Sequence, residues 1–255
     1  MLSFILDPVL FSLGPIEIRY YGLVYVLGFV LVTFLLLRYK KKLSLSKDDV
    51  YDLIFYLMLG VLIGSRLFHV IFWEPSYYLS QPWKILFIWE GGMSFHGGLV
   101  GTIIACYLFA KKKKVSFYKL ADFLVVPGLV ALAFGRIANF INGELVGTVT
   151  SVPWCFNFGD DLCRHPYQLY SAIKRFALAS ILFSLQKYYT FREGFIFWLA
   201  ILLMDLGRFS VDFFRDEMVY FNLTMGQWLS LIMIIVSGIV ILKYYSKNIL
   251  LERNL

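Results

Sequence analysis

The stretch FLVVPGLVALAFGRIANFINGEL, residues 123–145, decides how this chain is read. Its first half is apolar. Its second half packs Arg136, Asn139, Asn142 and Glu144 into ten residues. Taken over residues 119–141, the run has the length of a bilayer-crossing helix, roughly 17–25 residues. Insertion scales charge about 2.5–3.5 kcal/mol for an Arg or Asp placed centrally in such a helix. Ionisable groups at that depth therefore line cavities or substrate paths.

Working outward, the rest of the chain has the same character. It has 255 residues, of which 60% are hydrophobic and only 16% charged, with a mean hydropathy of +0.72. A soluble domain carries about 25% charged residues. Apolar segments recur at 18–37, 50–72, 94–110, 119–141, 169–187, 194–214 and 226–244. The expected architecture is an all-α integral membrane protein, residues 1–255 forming a single membrane domain of seven transmembrane helices. Residues 73–93 mix Trp and Tyr with an apolar stripe, the pattern of an interfacial helix. Residues 146–166 are expected to form a small extracytoplasmic head.

The net charge of +7 could suggest a nucleic-acid partner. Its distribution argues against one, because Arg38 to Lys42 and Lys111 to Lys114 sit in short runs between apolar segments. Such runs mark cytoplasmic loops. They place the N-terminus outside and the C-terminus in the cytoplasm, in a multi-pass cell-membrane protein. The opening MLSFILDPVLFSLGPIEI has no basic flank, and Asp7-Pro8 interrupts its apolar run. It is expected to be retained rather than cleaved.

Four groups of residues carry chemistry. On a helix, Arg136, Asn139 and Gly143 share one face. An Arg fork suits phosphate oxygens, and Glu144 can orient it or take a proton. The alternative is an Arg that snorkels to the interface while Asn142-Gly143 ends the helix. In MDLGRFSVDFFR, 204–215, Asp205, Arg208 and Asp212 fall on one face. They read either as a self-neutralising ladder or as half of a cationic site shared with Arg136. In MSFHGGLVG, 93–101, His96 stands beside Gly97 and Gly98, read as a proton carrier near a close-lying ligand or as a structural histidine. In RYYG, 19–22, Tyr20 belongs to an aromatic belt. Cys155 and Cys163 lie eight residues apart in the head; a bridge and two thiols both remain open. His69, His96 and His165 are scattered without ligand spacing, so no metal is expected, and no cofactor.

IEIRYYGLVY, MSFHGGLVG, GRIANFINGEL, RHPYQLY (164–170) and GRFSVDFFR occur in this order, and together they resemble the phosphatidylglycerol–prolipoprotein diacylglyceryl transferase family. The resemblance covers essentially the whole chain. It implies transfer of a diacylglyceryl group from phosphatidylglycerol to the lipobox cysteine thiol of a prelipoprotein signal peptide, with glycerol phosphate released. It also implies roles for Tyr21, His96, Arg136, Asn139, Glu144, Gly147 and Arg208. With these, Asp212, Gly97 and Gly98 complete the expected phosphatidylglycerol site. The chain departs from the family pattern at Asp212 (typically Glu), Met204 (often Tyr), Thr148 (often basic) and Ala138 (usually Gly). A transporter or binding protein for an anionic lipid or solute is the competing class. It would favour inverted repeats, and none is visible in this sequence.

Overall fold

The computed structural model describes residues 2–3, 9–13, 16–246 and 250–253. It is mostly helical. In chain order the helices are α1 (Tyr20–Tyr39), α2 (Lys47–Phe72), α3 (Pro75–Ser80), α4 (Phe95–Lys113), α5 (Phe117–Ile141), α6 (Tyr167–Tyr188), α7 (Phe195–Val211) and α8 (Met225–Tyr244). Each apolar segment expected from the sequence is helical. Among the described residues, four helices are long and apolar enough to cross a membrane: α1 from Gly22, α2, α5 and α8. In the others a specific feature weakens the signal. α4 ends in Lys111, Lys112 and Lys113, α6 carries Lys174 and Arg175, and α7 has only 17 residues.

The backbone gathers into two compact units, residues 33–121 and residues 1–32 with 122–255. In the first, Ser46 and Asp49 form a capping box that starts α2, and Lys113 closes the same end by bonding Asp49 and Asp52. α2 and α4 pack through glycines. A Cβ on Gly60 would fall 2.5 Å from the Gly101 carbonyl oxygen, and one on Gly64 would strike the Gly97 carbonyl oxygen. Two small-xxx-small faces thus meet backbone to backbone, the close approach that helices in lipid use in place of a hydrophobic drive.

Residues 73–93 depart from the single interfacial helix predicted. They form the six-residue α3 and two 3₁₀ turns, Pro82–Leu86 and Ile88–Glu90. Pro82 is the reason, since the residue before a proline is driven out of the helical region. Gln81 sits there at φ −136°, ψ 69°. Arg66 of α2 holds this irregular segment. Only 4% exposed, it donates to the carbonyls of Ile85 (2.9 Å), Gly91 (2.5 Å), Gly92 (3.1 Å), Lys84 (2.5 Å) and Phe87 (3.1 Å). Replacing Arg66 with Met strips five carbonyls of their donor. The expected cost is about 3 kcal/mol or more, read as faster proteolytic cleavage within 84–92 than in the wild type.

In the second unit, α5, α6 and α7 share a core of Leu129, Leu178, Ala179, Leu182, Ile196 and Ala200, against which Met204 packs. Asp122 of α5 accepts the backbone N–H groups of Gly194 and Phe197, both at 2.7 Å. A side chain from another helix thereby caps the start of α7. Its own carbonyl accepts from Gln186 of α6 at 2.6 Å. α8 begins with a capping box of Thr224 and Gln227, and Gln227 also donates to the Phe209 carbonyl of α7 at 3.1 Å.

Residues 146–166 contain no helix. They are pinned by bridges from Val149 and Phe156 to Arg164 and from Gly147 to Arg215. Cys155 and Cys163 are joined, their Cα atoms 5.4 Å apart. Of the two states the sequence left open, the structure adopts the bridge.

Candidate active site

The polar cluster that opens the sequence reading forms at the end of α5. Gly143, at φ +67°, ends the helix with a conformation that side chains disfavour. The reversal folds Glu144 back over the last turn, where its N–H bonds the Asn139 carbonyl at 2.9 Å. Arg136 donates to the Asn139 side-chain oxygen at 3.2 Å. Asn139 donates to Glu144 at 2.9 Å, and Asn142 donates to the other Glu144 oxygen at 3.1 Å. Arg136, Asn139 and Glu144 therefore form one relay. Gln168 of α6 secures it by donating to the Glu144 carbonyl at 2.6 Å.

A second relay lies between α6 and α7. Asp212 is 1% exposed, and a buried carboxylate needs partners. It accepts from Tyr167 Oη at 2.6 Å and from Arg208 Nε at 3.3 Å. The Arg215 guanidinium lies over the Tyr167 ring at 5.7 Å. α8 crosses close by, so close that a Cβ on Gly226 would come within 2.7 Å of Arg208 and 2.8 Å of Asp212. The three-residue ladder expected on α7 is only partly formed. Asp205 instead accepts from Ser230 of α8 at 3.0 Å, because α8 presents a hydroxyl on that face.

Gly147 has no room for a side chain: a Cβ there would collide with the His165 carbonyl and lie 2.7 Å from the Phe214 carbonyl. Arg164 fastens the surrounding loop, donating to the Gly147 carbonyl at 3.1 Å and to Asp216 at 2.6 Å. Its hydrogen bond to Asp160 holds that carboxyl below its usual range. Since the folded value is depressed, the stabilisation is present above the ordinary carboxylate pKa and lost as acid protonates Asp160.

His96 belongs to the other unit. It sits in the first turn of α4, after the N-cap Ser94, with its ring 6.4 Å from that of Phe68. The space beside Gly97 and Gly98 is taken by α2: a Cβ on Gly97 would strike the Gly64 carbonyl and Phe68 Cβ, and one on Gly98 would lie 2.6 Å from Ser65 Oγ. α2 makes a close approach that these glycines permit. A cleft of about 240 Å³ in this unit is lined by His69, Glu74, Tyr77, Tyr78 and Glu90, with Gly91 and Gly92, and by none of the expected site residues. Tyr21 lies in the first turn of α1, and its side chain falls outside the described residues.

Sequence reasoning named neither Tyr167 nor Gln168 as site residues, though both stand in the quoted RHPYQLY. The signal was there: a Tyr and a Gln entering an apolar helix, and both buried, at 2% and 0% exposure.

The comparisons with known proteins agree with the motifs. The model of a family described as prolipoprotein diacylglyceryl transferase matches residues 8–244. A phosphatidylglycerol–prolipoprotein diacylglyceryl transferase of Geobacter sulfurreducens is 45% identical over 237 residues, covering 88% of this chain and 90% of its own length. Proteins of the same name from Bordetella parapertussis and Wolbachia pipientis are 44% and 38% identical. The first covers 90% of this chain and the second 93%. With its helices and site arginines organised as described, this multi-pass membrane chain belongs to the prolipoprotein diacylglyceryl transferase family.

Proposed function

We propose that this protein transfers the diacylglyceryl group of phosphatidylglycerol to the lipobox cysteine thiol of prelipoproteins, forming a thioether and releasing glycerol phosphate. The observation that carries the reading is the pair of relays, Arg136–Asn139–Glu144 and Tyr167–Asp212–Arg208. Thiolate is the attacking form of cysteine. As the glyceryl carbon is displaced, the phosphate oxygen that leaves gathers negative charge. Fixed donors aimed at that charge supply most of the catalysis in comparable chemistry. Arg136 and Arg208 are those donors. Asn139 and Glu144 orient the first, and Asp212, with Tyr167, orients the second.

In this reading seven helices span the membrane: all those described except the six-residue α3. The lysine runs place the N-terminus outside and residues 146–166 in an extracytoplasmic head, with Gly147 at its root. Tyr21, Gly97 and Gly98 join the lipid-binding set by family resemblance. The same resemblance assigns His96 to the thiol proton. His96→Gln should then lower kcat about a hundredfold with little change in the KM for phosphatidylglycerol. An unchanged kcat would pass the proton to another group.

The direct test incubates the purified protein with phosphatidylglycerol vesicles and a lipobox peptide. A peptide mass gain of one diacylglyceryl unit is expected. Absence of that gain, with the lipid bound, would favour the binding-protein class.

A further inference from the structure

Between α7 and α8 the chain makes a hairpin that neither relay uses. Val219 and Tyr220 pair with Thr224 and Leu223, and Phe221-Asn222 form the two-residue turn. Both turn residues have positive φ, +51° at Phe221 and +65° at Asn222. A two-residue turn of this kind favours Asn-Gly or Asp-Gly. A bulky residue at positive φ is an outlier, and such strain is concentrated at ligand clamps and active sites. Phe221 gains no packing in return, because it is 92% exposed. Met218, Val219, Tyr220 and Met225 are exposed around it. The hairpin is nonetheless held firmly. Trp228 of α8 donates its indole N–H to the Tyr220 carbonyl at 2.9 Å, and the buried Thr224 caps α8 with Gln227.

The root of the hairpin lies against the second relay. A Cβ on Gly226, two residues past Thr224, would come within 2.7 Å of Arg208 and 2.8 Å of Asp212. On the incoming side, Asp216 donates its N–H to the Val146 carbonyl at 3.1 Å, and Arg215 bridges to Gly147. From Thr224 to Phe221 is three residues, no more than about 10 Å of extended chain. A peptide that brings its cysteine to a phosphate at Arg208 therefore carries the residues beside that cysteine within reach of the tip.

A bilayer surface and a peptide are the two apolar partners such a tip can meet. The charge pattern favours the peptide. Helices and anchors that dip into lipid carry Lys or Arg on their polar side, and residues 216–242 contain neither. The charges nearest the tip in sequence are Asp216 and Glu217, engaged by Arg164 at 2.6 Å and by Arg215 at 2.9 Å. Carboxylates at the root of an anchor suit a surface rich in anionic phosphatidylglycerol poorly. A secretory signal peptide, by contrast, offers an apolar core followed by small residues. We propose that the Met218–Phe221 tip, with Phe221 at its apex, is a docking surface for the apolar residues that precede the lipobox cysteine, and that it sets affinity for the peptide and not for the lipid. This rests on the transferase reading.

Phe221→Asn is the variant that tests it, since asparagine adopts positive φ more readily than other side chains and the turn is kept. In turnover with phosphatidylglycerol vesicles it should raise the KM for a lipobox peptide about tenfold, the effect of losing one buried ring. kcat and the KM for phosphatidylglycerol should move less than about twofold. Phe221→Trp, which keeps an apolar ring, should restore the peptide KM. A fluorescent lipobox peptide with serine in place of its cysteine gives a readout without turnover. Its anisotropy with detergent-solubilised protein, above a protein-free micelle baseline, should report about tenfold weaker binding to Phe221→Asn. Peptide KM and binding unchanged by Phe221→Asn would overturn the inference. So would an equal rise in the KM for phosphatidylglycerol, which would assign the tip to the bilayer. Wild type that binds the serine peptide through Phe221 but never lipidates the cysteine peptide sinks the transferase reading instead.

Discussion

Replacing Arg136 with alanine should reduce diacylglyceryl transfer at least a hundredfold while leaving the protein inserted and folded. Removing one fixed donor to a developing oxyanion costs about 3 kcal/mol of barrier in other enzymes. The fold should survive because the rest of the relay keeps its own bonds. Asn139 keeps its bond to Glu144, and Gln168 still anchors the Glu144 backbone. The measurement is the rate at which a lipobox peptide gains lipid mass, run beside a thermal unfolding trace of the same sample. A variant that lipidates at the wild-type rate would remove Arg136 from the chemistry. Arg136→Lys should recover only part of the loss, since an ammonium lacks the planar fork.

The second large effect is structural. Gly101→Leu should prevent α2 and α4 from packing. A Cβ on Gly101 would collide with the Gly60 carbonyl oxygen and lie 3.0 Å from Gly64 Cα. All the atoms in the way are backbone, so no rotamer change can relieve the contact and the helices must separate. Overpacking costs typically 1–3 kcal/mol and occasionally more; with backbone on both sides, the upper end or beyond is expected. The readout is the folded yield and midpoint of unfolding in detergent. Gly238→Ala provides the contrast. Nothing lies within 4 Å of a Cβ at that position, and alanine favours a helix by about 0.8–1 kcal/mol over glycine. It should be neutral or stabilising. If Gly101→Leu unfolds no more readily than wild type, the glycine contact is not what joins the two helices.

Much of this was legible in the primary structure, for identifiable reasons. Long apolar runs can satisfy their backbone in lipid only as helices, so the positions of α1, α2, α5 and α8 follow from composition. The clustering of Arg136, Asn139 and Glu144 was visible because helical spacing and the Asn-Gly reversal are both local. What depends on a neighbouring helix was not. Gly97 and Gly98 lie against α2, and nothing in their own spacing shows that neighbour. Asp205 looked like a rung of a ladder until Ser230 supplied a different partner. Segment 73–93 has the composition of an interfacial helix, but one proline outweighs it. Tyr167 escaped notice because a tyrosine near a helix start resembles an aromatic belt; its hydroxyl becomes informative only when Asp212 stands opposite.

The carboxylate of Asp122 has a consequence for the order in which the chain assembles. It completes a helix that begins 72 residues later in the sequence, at Gly194. During synthesis the acceptor therefore emerges well before the amides it will serve. When the first turn of α7 forms, its unmatched N–H groups meet an acceptor already in place. A circularly permuted gene that made α7 ahead of α5 would reverse that sequence of arrivals. The newborn helix would have to wait, with its leading amides exposed, for the group that quiets them.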